Sequence, residues 1–186
     1  MRDYITLIDF TDEFLEAHNL LEKIPKDAKK AAARAFNRAL ITGRAAATKE
    51  VTSRYTVRTK DVKSTFWMHK ATEYNLRGTL ISTGRSLPLR AFAHRPTTDT
   101  TGAKRRPIRI TVMSGEVHTF PTAFVWRNNI FRRLGGKRLP ISKLMGPSVP
   151  SMIGNTDIVD EVQNIMVEVA EKRLEHELSR LVEGKK

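Results

Sequence analysis

The spacing of apolar positions predicts a long helix in the first third of the chain. Between Lys26 and about Arg54, apolar or small residues recur at three- and four-residue steps, which places them on one helical face. These positions are Ala32, Phe36, Ala39, Leu40, Gly43, Ala47 and Val51. Pro25 suits the start of this helix because its missing N–H would have no intrahelical partner there. A glycine inside a helix costs about 1 kcal/mol relative to alanine, so we expect another backbone to pass close to Gly43.

A second long helix is predicted from about Thr156 to Val182, near the other end of the chain. Thr156 is a suitable N-cap, and Asp157 and Asp160 place negative charge at the positive end of the helix dipole. An apolar stripe follows at helical spacing, and it consists of Ile158, Val162, Ile165, Val169 and Leu178 or Leu181. We expect Ile158, Val162, Ile165 and Val169 to make core or intersubunit contacts.

The pattern between the two helices changes to the two-residue alternation of β-strands. Strands are predicted at Thr79–Thr83, Leu87–Phe92, Ile108–Val112 and Phe120–Trp126. Gly135 and Gly136 resemble a hairpin turn between Phe131 and Leu139. Helices followed by strands and a final helix indicate an α+β fold, in which a long N-terminal and a long C-terminal helix pack on an antiparallel sheet.

Three further segments lack the pattern of a long element. Residues 1–24 are predicted to be an N-terminal arm with a short helix at Thr11–Leu21, followed by one α+β domain over residues 25–183. His94–Arg106 contains Pro96, Gly102 and few apolar residues, so we expect a mobile basic loop that becomes ordered only in an assembly. Prolines and glycines from Pro140 onward predict an irregular connector.

Charge is distributed unevenly along the chain. Its 186 residues include 33 Lys and Arg against 20 Asp and Glu, a net charge of +13. Between Arg85 and Lys143 there are 13 basic residues and only two acidic ones, whereas the last helix is acidic. Head-to-tail association of copies would pair these unlike regions, and such contacts close into rings when the rotation permits. Pairing of helix and sheet within one chain is the alternative.

The sequence contains no recognisable catalytic pattern. The chain has no cysteine, and none of its five histidines stands in a metal-binding or triad pattern. Gly135 and Gly136 lack the spacing of a phosphate-binding loop. The sequence therefore predicts no catalytic, cofactor or metal site and no enzyme. Since no window reaches roughly 18 apolar residues and the first residues lack a signal-peptide pattern, we expect synthesis in the cytoplasm and no membrane contact.

Seven segments together carry a resemblance to a known family. They are AARAFNRAL (Ala32–Leu40), RTKDVKSTF (Arg58–Phe66), GTLISTGRSLPLRAF (Gly78–Phe92), RPIRITV (Arg106–Val112), TFPTAFVW (Thr119–Trp126), LPISKLMGPSVPSMI (Leu139–Ile153) and RLEHEL (Arg173–Leu178). Together they resemble the minor tail protein Z family of tailed bacteriophages, the tail-completion proteins. The resemblance covers roughly residues 26–181, and its most specific motif is GPSVPSM, which leads from basic strands into the acidic last helix.

The resemblance implies a structural virion protein of the tail or neck, assembled in the host cytoplasm. It implies a tail-completion or head–tail joining subunit, in a homo-oligomeric ring of about six copies at the head-proximal end of the tail. The implied partners are the tail tube or tail terminator, the head–tail connector and, by non-specific contact, the genomic DNA. The basic residues expected to face DNA or a partner protein are Arg105, Arg106, Arg132, Arg133 and Arg138. The alternative function is a basic nucleic-acid-binding module that acts as a monomer or dimer.

Overall fold

The computed structural model describes residues 3–9, 25–95, 107–154 and 156–183. Within these residues the helices are α1 (Lys26–Arg54), α2 (Thr59–Lys63), α3 (Val149–Ile153) and α4 (Thr156–Glu183). The first strands are β1 (Asp3–Asp9), β2 (Phe66–His69), β3 (Thr79–Gly84) and β4 (Ala93–Arg95). The others are β5 (Ile108–Thr111), β6 (Val117–Phe120), β7 (Ala123–Trp126), β8 (Asn129–Arg133) and β9 (Ile141–Lys143).

The two long helices, α1 and α4, pack against each other in antiparallel orientation. Arg54 at the end of α1 lies 3.7 Å from Asp157 at the start of α4. Toward the other end of the pair, Arg34 lies 3.3 Å from Glu177. At about 1.5 Å per residue each helix is about 42 Å long. The pair therefore forms the long axis on which the other elements are placed.

The predicted apolar face of α1 is buried along its whole length. Phe36, Leu40 and Val51 are at most 3% exposed, and Gly43 is buried among them. A Cβ at Gly43 would lie 2.1 Å from Sδ of Met166 on α4, too short for any contact. The close approach predicted at Gly43 therefore exists, but a side chain of the neighbouring helix occupies the space and not a second backbone.

The buried face of α4 is rotated slightly from the predicted stripe. Ile158 and Val162 are fully buried, and Met166 and Ala170 continue the same line. Ile165 and Val169 are only half-buried. Leu178 is 38% exposed, and Leu181 is half-buried.

The strands form three antiparallel sheets of three strands each in the described part of the chain. Their orders are β1–β3–β2, β4–β5–β6 and β7–β8–β9. The α+β class with long N- and C-terminal helices is thus confirmed, with the predicted sheet divided into three. The β8–β9 hairpin, with Phe131 opposite Lys143, contains the turn predicted at Gly135 and Gly136.

Two predicted strands have a different structure. Leu89–Ala91 is a short 3-10 helix, because Leu87 and Leu89 form backbone hydrogen bonds with the segment 144–147 instead of a regular ladder. Phe120–Trp126 is not one strand, since a turn at Pro121 and Thr122 separates β6 from β7. The pattern of alternation continues through this turn, which explains the error.

The first strand was not predicted from the sequence. Within the N-terminal arm, Asp3–Asp9 forms β1 and pairs with β3, with a bulge between Thr6 and Ile8. Leu7 is fully buried, and its carbonyl accepts a hydrogen bond from the Gln163 amide of α4. The short helix predicted at Thr11–Leu21 lies outside the described residues.

The second and third sheets lie at one end of the helix pair. Backbone hydrogen bonds from Thr56 to Val112 and from Ser114 to Arg54 join the second sheet to the C-terminal end of α1. From the third sheet, the chain passes through α3 directly to the start of α4. The basic loop predicted at His94–Arg106 lies between the antiparallel strands β4 and β5. The prediction was wrong for His94 and Arg95, which pair with β5 as part of β4, and residues 96–106 lie outside the described residues.

The connector from Pro140 is short but structured. Ser148 caps α3 by accepting a hydrogen bond from the Ser151 amide, and its hydroxyl donates to the Asp3 carboxylate at 2.6 Å. Val149, Pro150, Met152 and Ile153 are buried. This part of the chain, which contains the GPSVPSM motif, therefore joins the N-terminal strand to the core.

Candidate interaction surfaces

The outer face of α4 carries a row of carboxylates. Asp160, Glu168, Glu171 and Glu175 are exposed and recur at helical spacing on the side opposite the buried residues. We call these four residues the acidic stripe. Lys172 at its edge forms an ion pair with Glu168, and this hydrogen-bonded ammonium lowers the pKa of the Glu168 carboxyl. This ion pair favours the ionised form of Glu168.

Two exposed apolar side chains continue this outer face toward the C-terminal end of α4. Leu178 is 38% exposed and Val182 is 73% exposed. They follow Glu171 and Glu175 at three- and four-residue steps, so all four lie on one side of the helix. The C-terminal part of the outer face is therefore acidic and apolar at once.

A basic and apolar surface lies on the β8–β9 hairpin. Its exposed side chains are Arg132, Leu134, Lys137, Arg138 and Leu139, which we call the basic hairpin tip. Leu134 and Leu139 are 58% and 66% exposed. No ion pair joins its three basic side chains to another residue in the part of the chain that the structure describes. Their charge is therefore available to a partner.

Arg133 differs from the other arginines of this hairpin. It is half-buried, and its guanidinium lies 5.8 Å from the centre of the Phe124 ring, within range of a cation–π contact. Phe131 contacts the rings of both Phe124 and Trp126. We therefore assign Arg133 to the packing of this aromatic cluster, whereas Arg132 and Arg138 face solvent.

Ion pairs between the two long helices use some of the acidic residues of α4. Arg54 lies within 4.0 Å of carboxylates of Glu50, Asp157 and Glu161. Arg34 and Glu177 form a further pair at 3.3 Å. Among the described residues, the ion pairs that connect α4 to another element therefore reach α1 and not the basic sheets, and the acidic stripe takes part in none of them.

A shallow groove lies between α1 and the C-terminal half of α4. It has a volume of about 350 Å³, and its lining residues are Arg34, Asn37, Arg38, Ile41, Arg173 and Glu177. The Asn37 side chain is hydrogen-bonded to both backbone groups of Ala71. Three arginines against one carboxylate make the groove positively charged, but Arg34 is already paired with Glu177.

The structure places the remaining predicted residues as follows. Arg105 and Arg106 lie outside the described residues. Nε2 of His94 accepts a hydrogen bond from the Arg90 guanidinium, and Nδ1 of His94 donates one to the Phe92 carbonyl. Nε2 of His118 lies 3.7 Å from the Glu116 carboxylate. Among the described residues, no group of three or more His, Asp or Glu side chains is arranged to hold a metal ion. None of the helices in the same residues is long and apolar enough to span a membrane.

Sequence reasoning did not identify the exposed Leu134, Leu139 and Val182 as candidates for partner contact. Leu134 and Leu139 flank the glycine pair of a basic turn, and that position was the available signal. Val182 follows Leu178 by four residues but was treated only as the end of the helix. Periodicity alone does not show which apolar residues remain in solvent, because exposure depends on what packs against each face.

One comparison with known proteins gives a match. A family model described as "Prophage minor tail protein Z (GPZ)" matches residues 15–183, which is most of the chain. No curated protein and no solved structure matches significantly. The matched range includes both long helices, all strands after β1 and the GPSVPSM segment.

Proposed function

Since the chain belongs to the prophage minor tail protein Z family, a family of structural tail proteins, we propose that it is the subunit that completes the phage tail. In this proposal, copies of the chain form a closed ring at the head-proximal end of the tail and join the tail to the head. The family is structural and is not known for catalysis, and its location is the tail of the virion. The partners proposed are the tail tube or tail terminator on one side and the head–tail connector on the other.

The observation that carries the ring proposal is the separation of opposite charges within one molecule. The acidic stripe lies on the outer face of α4, and the basic hairpin tip lies in the third sheet, at the end of β8 and on the loop between β8 and β9. Neither surface is neutralised by the other within the chain. Subunits with unlike surfaces on different sides associate head to tail, and such contacts form rings when the rotation closes.

A joining assay tests this function. Tails are assembled without the chain and mixed with DNA-filled heads, with or without the purified full chain. We expect few infective particles without the chain and restoration when it is added. Equal numbers of infective particles in both samples would contradict a role in joining.

The alternative function, a nucleic-acid-binding module, is favoured by one observation. The exposed Arg132, Lys137 and Arg138 have no carboxylate partner among the described residues, as in a surface that contacts phosphates. A module of this kind would act as a monomer or dimer. The exposed Leu134 and Leu139 argue against this use of the hairpin, because phosphate contacts do not require adjacent apolar side chains.

A further inference from the structure

The basic hairpin tip combines two kinds of exposed side chain. Lys137 and Arg138 supply unpaired positive charge, and Leu134 and Leu139 supply apolar surface next to it. Gly135 and Gly136, between them, have open space where a Cβ would lie. Residues 134–140 are all exposed, so the tip lies in solvent, and its composition is complementary to a surface that is both acidic and apolar.

The C-terminal part of α4 has the complementary composition. Glu171 and Glu175 are exposed, and no ion pair joins them to another residue among those described. Leu178 and Val182 extend the same face with apolar surface. Acidic and apolar groups thus succeed each other along about 17 Å of helix, at about 1.5 Å per residue.

We propose that the basic hairpin tip of one copy docks on the Glu171–Val182 face of α4 in the next copy. Lys137 and Arg138 pair with Glu171 and Glu175, while Leu134 and Leu139 pack against Leu178 and Val182. This proposal rests on the proposed ring and specifies its subunit interface. The occupant is a second copy because both complementary surfaces belong to this chain and remain exposed within it.

The position of the two surfaces fits a head-to-tail contact. The hairpin tip belongs to the sheet whose chain leads through α3 into the N-terminal end of α4. The docking face lies at the C-terminal end of the same helix, where Glu177 pairs with Arg34 near the start of α1. Because each copy offers one surface at each end, successive copies can add in the same sense.

Charge reversal and its repair test the ionic part of the interface. The full chain is prepared with Lys137→Glu and Arg138→Glu, with Glu171→Lys and Glu175→Lys, and with all four changes. Lys60→Glu and Lys63→Glu on α2 serve as the matched control, since both residues are exposed and the change in net charge equals that of the hairpin variant. Assembly is measured by light scattering on the free chain and by co-sedimentation with tails.

We expect each charge-reversed pair to reduce assembly at least tenfold. The variant with all four substitutions should recover most of the assembly, and the α2 control should assemble normally. Assembly of both reversed variants at the level of the control would overturn the proposal. Circular dichroism on each variant shows whether it is folded, and a variant that does not fold is replaced by the crosslinking pair described next.

Crosslinking tests the apolar part of the interface without disturbing charge. The natural chain has no cysteine. In a variant with Leu139→Cys and Val182→Cys, crosslinks can therefore form only through these two introduced cysteines. Val117→Cys with Leu139→Cys is the control, because Val117 is exposed but lies on the second sheet, which is joined to the C-terminal end of α1. A short bis-maleimide should convert assembled L139C/V182C chains into a ladder of covalent oligomers and leave the control mainly monomeric.

The outcomes separate the interface from the proposed function. If the chain assembles normally on tails but L139C/V182C crosslinks no more than the control, this interface is contradicted and the ring proposal still stands. Absence of self-association both in solution and on tails contradicts the interface and the ring together. Capture of DNA by the hairpin tip, with assembly unaffected by the reversed pairs, would assign the tip to nucleic acid and overturn the proposal.

Discussion

Gly43 and Met166 set the spacing of the two long helices. A Cβ at Gly43 would lie 2.1 Å from Sδ, 2.4 Å from Cγ and 2.9 Å from Cε of Met166. Met166 is fully buried, so its side chain has little room to move away. The sequence predicted the close approach at Gly43 from the cost of glycine in a helix, but it could not identify Met166, because that contact depends on how α4 is rotated against α1.

Gly43→Ala should therefore destabilise the protein. In an exposed helix the same change would stabilise by about 1 kcal/mol, whereas overpacking here should cost about 1–3 kcal/mol. Urea unfolding followed by circular dichroism measures the difference. Combining it with Met166→Ala, which removes the clashing atoms, should cost less than the sum of the two single changes. A stabilised Gly43→Ala variant would show that the helices are further apart than described.

The Glu168–Lys172 pair gives a residue-scale test by pH. The hydrogen-bonded ammonium of Lys172 lowers the pKa of Glu168 below the ordinary value of 4.5. Any stability from this pair is present above the ordinary pKa and is lost as the pH falls through the lowered pKa. Lys172→Met should raise the pKa of Glu168 toward its ordinary value, as measured by carboxyl NMR titration. An identical titration curve in both proteins would mean that the pair does not form in solution.

At the scale of elements, the long helices were predicted well and the strands less well. The bounds of α1 agree with the sequence prediction, because helical periodicity and the proline at its start are local signals. The pairing of β1 with β3 joins residues about 75 positions apart, and no local pattern contains that information. The turn between β6 and β7 was also missed, because the alternation of apolar and polar residues does not show where one strand ends and the next begins.

The two sides of α4 should respond differently to truncation. Val162 is fully buried against the core, so Val162→Ala should cost about 1–3 kcal/mol of unfolding free energy. Val169 is half-buried, and Val169→Ala should cost less because part of its surface already contacts water. Thermal unfolding of the free chain tests the comparison. Equal losses would place both residues in the core and contradict the described rotation of the helix.

At the scale of the whole molecule, the sequence predicted where the charges lie along the chain. It did not predict which charged side chains pair with each other. The sequence alone separated a basic sheet region from an acidic last helix. It left open whether these regions pair within one chain. Among the described residues, carboxylates of α4 form ion pairs with Arg34 and Arg54 of α1 and with Lys172 of α4 itself. Which carboxylates remain available depends on helix packing, and so required three-dimensional information.

DNA binding separates the two uses of the basic loop. We expect Arg105 and Arg106 to face the path of the genome through the ring, so Arg105→Glu with Arg106→Glu should weaken duplex binding and leave assembly intact. Each neutralised phosphate contributes about 0.9 to the slope of log affinity against log salt concentration, so the slope should fall by about 1.8. Filter binding over a salt series measures it. No DNA binding by the natural chain at low salt, together with failed assembly of the variant, would assign these arginines to a protein contact.

The location and symmetry of the chain in the tail test the central claim most directly. Electron cryomicroscopy of purified tails, with and without an antibody against this chain, determines both in one measurement. The account predicts a closed ring of identical copies at the head-proximal end, with the hairpin of each copy against α4 of the next. A single copy, or copies at the distal end of the tail, would contradict it.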